Sequence, residues 1–302
     1  MAPDPVGRQP GDGTIELACH LNVLIAGLGD GELLPALAAL GEHGCAAAVL
    51  PPVDPAAVDV EALRGRFHDH GIVPIPIAGQ TVDADVSSRD PAVRQRGADA
   101  LRAMVALTVR LGGDQLNGVP YGRFESPAGP VDDDRMLHAA DEVGRVADEA
   151  ADQGVLMTFE VLNRYETAAI NTAAQAVAFA TASRSSNLRV HLDSFHLRVE
   201  EPDPAEAVRS AAPWLGYLEL GDAGRGAFAS DAAHVRSVLA AALEAGYRGR
   251  VGVEAFSRSI LPEAAANHLK IWRAPFDDGA ALFAEAAQVI RSEAAASGVA
   301  VA

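Results

Sequence analysis

Eight short apolar runs, each divided from the next by a longer stretch that is mostly Ala-rich and amphipathic, restrict what this chain of 302 residues can fold into. They cover residues 14–19, 45–50, 72–77, 114–119, 155–161, 188–193, 215–220 and 250–254. Runs of this length and apolar density suit strands buried on both faces. Between them, helical patterns cover 31–43, 90–111, 132–153, 172–185, 204–212 and 232–246. Asp90-Pro91 and Asn171-Thr172 carry N-cap chemistry, and Gly44, Gly71, Gly112, Gly154 and Gly246 stand where helices stop before the next strand. Repeated strand–helix units need parallel strands joined by crossover helices. A single (β/α)8 TIM barrel follows, closed and without edges; a doubly wound open sheet is the alternative. Residues 1–12, rich in Pro and Gly, are expected to be a flexible leader. The barrel should then occupy 13–302, with a closing helix from 280 that frays after Gly298.

The formal net charge of −17 argues against a nucleic-acid or anionic-membrane partner. No apolar run approaches the ~18 residues of a membrane span, and a cytoplasmic location is expected. Cys19 and Cys45 lie in apolar runs without metal-binding spacing, and are expected to be buried free thiols.

In such barrels chemistry is built at the C-terminal ends of the strands. The fifth run brings Glu160 there, the sixth Asp193, the seventh Glu219 and the eighth Glu254. A carboxylate among apolar residues must be paired, protonated or metal-bound. Arg164 and Arg225 are the cations placed to pair with them, too few for four acids. A divalent metal site is therefore expected, and oxygen ligands favour Mn²⁺ or Mg²⁺ over Zn²⁺. His191, two residues before Asp193 on the same strand face, reads as a core or supporting residue rather than a ligand. His20 follows the first strand and is left open as a pocket residue.

The segment Glu160-Val161-Leu162-Asn163-Arg164-Tyr165-Glu166-Thr167, followed by Ile170-Asn171-Thr172, resembles the ketose 3-epimerases of the D-tagatose/D-psicose 3-epimerase type. These belong to the xylose-isomerase-like barrels. His191-Leu192-Asp193-Ser194-Phe195-His196 with Glu200-Glu201, Gly246-Tyr247-Arg248-Gly249 and Lys270-Ile271-Trp272-Arg273 carry the same likeness. The resemblance implies that Glu160, Asp193 and Glu254 bind a metal, usually Mn²⁺ and sometimes Co²⁺ or Mg²⁺. It implies that Glu160 and Glu254 move the proton at C3 of a ketose, one on each face, through an enediolate. It also implies that Glu166, His196 and Arg225 contact the sugar, and that the chain forms a homodimer or homotetramer. One motif departs: Glu219-Leu220-Gly221-Asp222 stands where the family carries His in a His-Ile-Gly-Glu motif. Glu219 is then expected to join the metal, or to remain partly protonated and turn toward substrate as an acid; the alternative is that it points away and pairs with a cation such as Arg225. Two other readings are a related enolising lyase, such as a keto-inositol dehydratase or C-glycoside-cleaving subunit, and a non-catalytic sugar-binding barrel.

Overall fold

The computed structural model describes residues 13–228 and 231–302, so the leader expected at 1–12 lies outside the described residues. Strands β1 (Thr14–His20), β2 (Cys45–Val49), β3 (Val73–Ile75), β4 (Ile77–Ala78), β5 (Gln115–Gly118), β6 (Leu156–Glu160), β7 (Leu188–Asp193), β8 (Leu215–Gly221) and β9 (Arg250–Glu254) pair in parallel in the order β3-β2-β1-β9-β8-β7-β6-β5-β4. β3 and β4 are halves of one stave. Pro76 between them offers no N–H to a ladder, so the stave changes partner there: β3 pairs with β2 and β4 with β5. The two ends of the strand order meet at this proline. The result is a closed barrel, and the open-sheet alternative is discarded.

Helices α1 (Asp30–Glu42), α2 (Val60–Asp69), α3 (Pro91–Leu111), α4 (Asp133–Ala151), α5 (Ala173–Ser183), α6 (Ser194–Glu200), α7 (Pro204–Ala211), α8 (Ala232–Glu244), α9 (Glu263–His268) and α10 (Gly279–Ala296) surround it. Their starts follow side-chain chemistry. Asp90 caps α3 ahead of Pro91, and Thr172 with Gln175 forms a reciprocal capping box on α5. The expected fraying after Gly298 does not occur. Gly298 adopts φ +69°, and β10 (Ala300–Val301) then pairs with the start of β1. Ala302 N donates to Ile15 O at 2.9 Å, so backbone pairing holds the tail.

Most of the apolar core joins strand residues such as Leu17, Cys19, Val251 and Val253 to helix residues such as Leu37, Val238 and Ile290. A smaller cluster of Ala18, Ala47, Val49, Ile75 and Tyr217 fills the barrel interior. At the N-terminal end of the strands Arg250 bonds Asp114, Gln115 and Glu16, closing the bottom with ion pairs. Chemistry is thereby left to the opposite end. Cys19 and Cys45 are buried and unpaired, as expected.

Candidate active site

Glu160, Asp193 and Glu254 are the last residues of β6, β7 and β9, whereas Glu219 lies two residues inside the end of β8. The ladder places Asp193 beside Glu219 and Gly221 beside Glu254. Inward alternation on β8 gives Tyr217, Glu219 and Gly221 one face. Gly252 is what admits them: a Cβ there would sit 2.1 Å from the Tyr217 hydroxyl and 3.0 Å from Glu219 Oε1.

Asp193 has two jobs. Its Oδ1 accepts from Phe195 N at 2.9 Å and caps α6, while Oδ2 lies 3.2 Å from Arg225 Nη1. α6 carries His196 one turn above, with Nε2 3.4 Å from Glu160 Oε1, 3.7 Å from Asp193 Oδ2 and 3.9 Å from Glu166 Oε2. The backbone N–H of Asn163 donates to His196 Nδ1 at 3.0 Å, which leaves the ring proton on Nε2, facing the carboxylates. Arg225 enters from the loop after β8 in a left-handed conformation, φ +58°. Its Nη1 also bonds Glu254, and its guanidinium carbon stacks 3.6 Å over the Phe195 ring.

Every expected site residue therefore reaches one region. Arg164 does not: it is exposed and forms a bidentate pair with Glu200. Glu219 does not pair with Arg225 either; its Oε2 lies 3.2 Å from His191 Nε2. His191 is thus no remote core residue. His20 also faces the site, with Nε2 4.0 Å from Glu254 Oε1. A cavity of about 270 Å³ opens over these groups and is further lined by Asn22, Val49, Pro52, Phe124, Phe256 and His268. The last comes from α9, which the periodicity did not show, and meets Phe124 edge-on at 5.2 Å. A Pro262-Glu263 start was the available signal.

The charge balance is unfavourable to bare carboxylates. Burial, then the nearby acids Glu254 and Glu160, push Asp193 up to about 7. Burial, then Glu254, raises Glu160 and Glu219 well above the usual carboxylate range. Burial opposes the charge of Arg225, but Glu254 and Asp193 outweigh it and raise its pKa. Burial also holds His20, His191 and His196 toward the neutral form. Among the described residues two sets bring possible metal donor atoms within 4.8 Å of one another: Glu160, Asp193 and His196; and Glu160, His191 and Glu219. Glu219 Oε1 and both ring nitrogens of His191 are buried without a hydrogen-bond partner among the described residues. Acids that repel one another beside donor atoms without partners fit a divalent cation.

The xylose isomerase-like TIM barrel family matches residues 36–292. A ketose 3-epimerase of Arthrobacter globiformis is 33% identical over 80% of this chain and 84% of its own. An L-ribulose 3-epimerase of Mesorhizobium japonicum is 33% identical over 88% and 90%. A D-allulose 3-epimerase from Methylomonas sp., solved with D-allulose, superimposes with a TM-score of 0.88 at 29% identity, covering 93% of this chain and 98% of its own. This chain belongs to the ketose 3-epimerases of the xylose isomerase-like barrels. It is a carbohydrate isomerase by family, in a family that uses a divalent metal. The lyase and non-catalytic readings are not favoured, since the relatives matched at this level are epimerases.

Proposed function

We propose that the chain epimerises C3 of a free five- or six-carbon ketose in the cytoplasm, as a homodimer or homotetramer with bound Mn²⁺. The observation that supports it best is the convergence of Glu160, Asp193 and Glu254 around Arg225 and His196. Glu160, Asp193, Glu219 and Glu254 are the residues that would hold the cation. Bound there, it would act as a Lewis acid on the ketone and a neighbouring hydroxyl, favouring loss of the intervening proton.

This chain's own groups do the rest. Glu160 on β6 and Glu254 on β9 have two strands between them, so they approach the substrate from different sides. One removes the C3 proton and the other returns a proton to the opposite face, inverting the centre. Burial, then the Glu254 charge, hold the Glu160 carboxyl above the usual carboxylate range, which makes it a stronger base than a free carboxylate. His196 presents its Nε2–H, and Arg225 its remaining guanidinium N–H groups, to sugar oxygens, while Glu166 accepts from a hydroxyl. The cavity is at the small end for ligand sites, which suits one monosaccharide and no nucleotide or polymer. The net charge of −17 is unsuited to an anionic membrane surface, and among the described residues no helix is long and apolar enough to cross a membrane.

The test is solvent exchange in D₂O with D-allulose, D-fructose, L-ribulose and D-tagatose, with added Mn²⁺. Deuterium should enter C3 of at least one ketose together with formation of its epimer. Exchange confined to C1, or none with any ketose, would refute the reading.

A further inference from the structure

The side chain that the epimerase reading leaves unexplained is His191. It is 2% exposed, it lies on β7 below Asp193, and neither ring nitrogen has a hydrogen-bond partner among the described residues. A buried imidazole normally satisfies at least one nitrogen. The nearest polar atom, Glu219 Oε2, is 3.2 Å from Nε2, yet the contact lacks the directionality of a hydrogen bond. Glu219 Oε1 is also without a partner. Two donor atoms side by side, neither pointing at the other, can share a third atom. Nitrogen and oxygen ligands at about 2.1 Å from one cation and at right angles lie about 3 Å apart. The observed separation fits that arrangement, and Glu160 offers a further oxygen within 4.8 Å of both.

His196, the other imidazole beside Glu160, does not offer the same thing. Its Nδ1 accepts the Asn163 backbone N–H, so the nitrogen facing the acids carries the proton and has no lone pair to give. Arg225 pairs with Asp193 and Glu254. Its single positive charge leaves the acid cluster negative, and among the described residues Glu160 and Glu219, the two carboxylates that flank His191, have no arginine or lysine partner.

We infer that His191 is a metal ligand, its Nε2 binding the divalent cation together with Glu160 and Glu219. This rests on the metal-dependent reading above. It gives the site a mixed nitrogen and oxygen set, which selects Mn²⁺ or Co²⁺ over Mg²⁺, since imidazole suits transition ions and Mg²⁺ prefers oxygen. Tyr217, edge-on to the ring at 4.7 Å, keeps the imidazole turned toward Glu219.

The test is pulsed electron paramagnetic resonance on the purified, full-length protein loaded with Mn²⁺, with titration of Mn²⁺ and Mg²⁺ affinity alongside. Directly coordinated ¹⁴N coupling is expected in the unaltered protein and in His196→Gln, and is expected to vanish in His191→Gln. Mn²⁺ affinity should fall by at least about tenfold in His191→Gln, and Mg²⁺ affinity by less. Bound Mn²⁺ without nitrogen coupling in the unaltered protein would overturn the assignment of His191 while leaving the epimerase reading standing. Coupling that survives His191→Gln, or is lost in His196→Gln alone, would also overturn it. Failure to bind Mn²⁺ at all would overturn both this assignment and the metal site it rests on.

Discussion

From β6 to β9 the barrel mouth presents Glu160, His196, Glu219, Glu254 and Arg225, with Asp193 buried behind them, whereas from β2 to β4 it presents Val49, Pro52, Ile77 and Ala78. Both sides line the same cavity on the same kind of scaffold. On the first, acids are packed closely enough to raise each other's pKa, an arrangement that a cation would relieve. The second has no charge to place and can act only through shape. The contrast separates the proton chemistry from the fit of the sugar, and it gives mutations on the two sides different kinetic signatures.

The largest effect is expected on the acidic side. Glu160→Gln and Glu254→Gln keep the side-chain shape but remove the base, and each should lower kcat by about 10²–10⁴-fold. Steady-state kinetics and C3 deuterium exchange check this. Near-normal turnover in either variant would show that the two carboxylates are not the proton-moving pair.

A smaller effect concerns stability. Burial pushes Asp193 up to about 7 in the folded protein, against about 3.9 for an unfolded aspartate. Its stabilising contribution without metal is complete below about pH 4 and is lost as pH rises through 7. Glu160 and Glu219, also raised, act in the same direction. His20, His191 and His196 are lowered by burial and act in the opposite one. Their contribution is complete above about 6.5 and is lost as pH falls below it. Urea midpoints between pH 6 and 8 should therefore decline in EDTA and hold steady with saturating Mn²⁺, which satisfies the carboxylates. Parallel curves in the two conditions would break the link between the acids and a cation.

The smallest effect belongs to the apolar cover over the mouth, which continues from β2–β4 to the loop after β5 and to α9. Phe124 meets His268 of α9 across the mouth. Phe124→Ala should raise KM by about tenfold or less, the worth of ~1 kcal/mol of lost apolar contact, with kcat within about twofold. A fall in kcat comparable to that of Glu160→Gln would mean that the apolar side also positions the reacting atoms.

The sequence determined much of this by itself. Apolar run length and capping residues are local signals, so the staves, most of the helices and the ends of β6, β7 and β9 were legible, and with them Glu160, Asp193 and Glu254. The motif likeness added Glu166, His196 and Arg225. Only the tertiary structure decided which partner each acid takes. Arg164 and Arg225 look alike in sequence, but Arg164 swings out to Glu200 while Arg225 turns into the barrel through a left-handed residue. His191, two residues before Asp193 on the same strand face, reads from sequence as a core or supporting residue. Its placement beside Glu219 depends on strand pairing and on the space left at Gly252, contacts between residues distant in the chain. Pairing, burial and charge repulsion all depend on distances between strands, and those exist only once the barrel has closed.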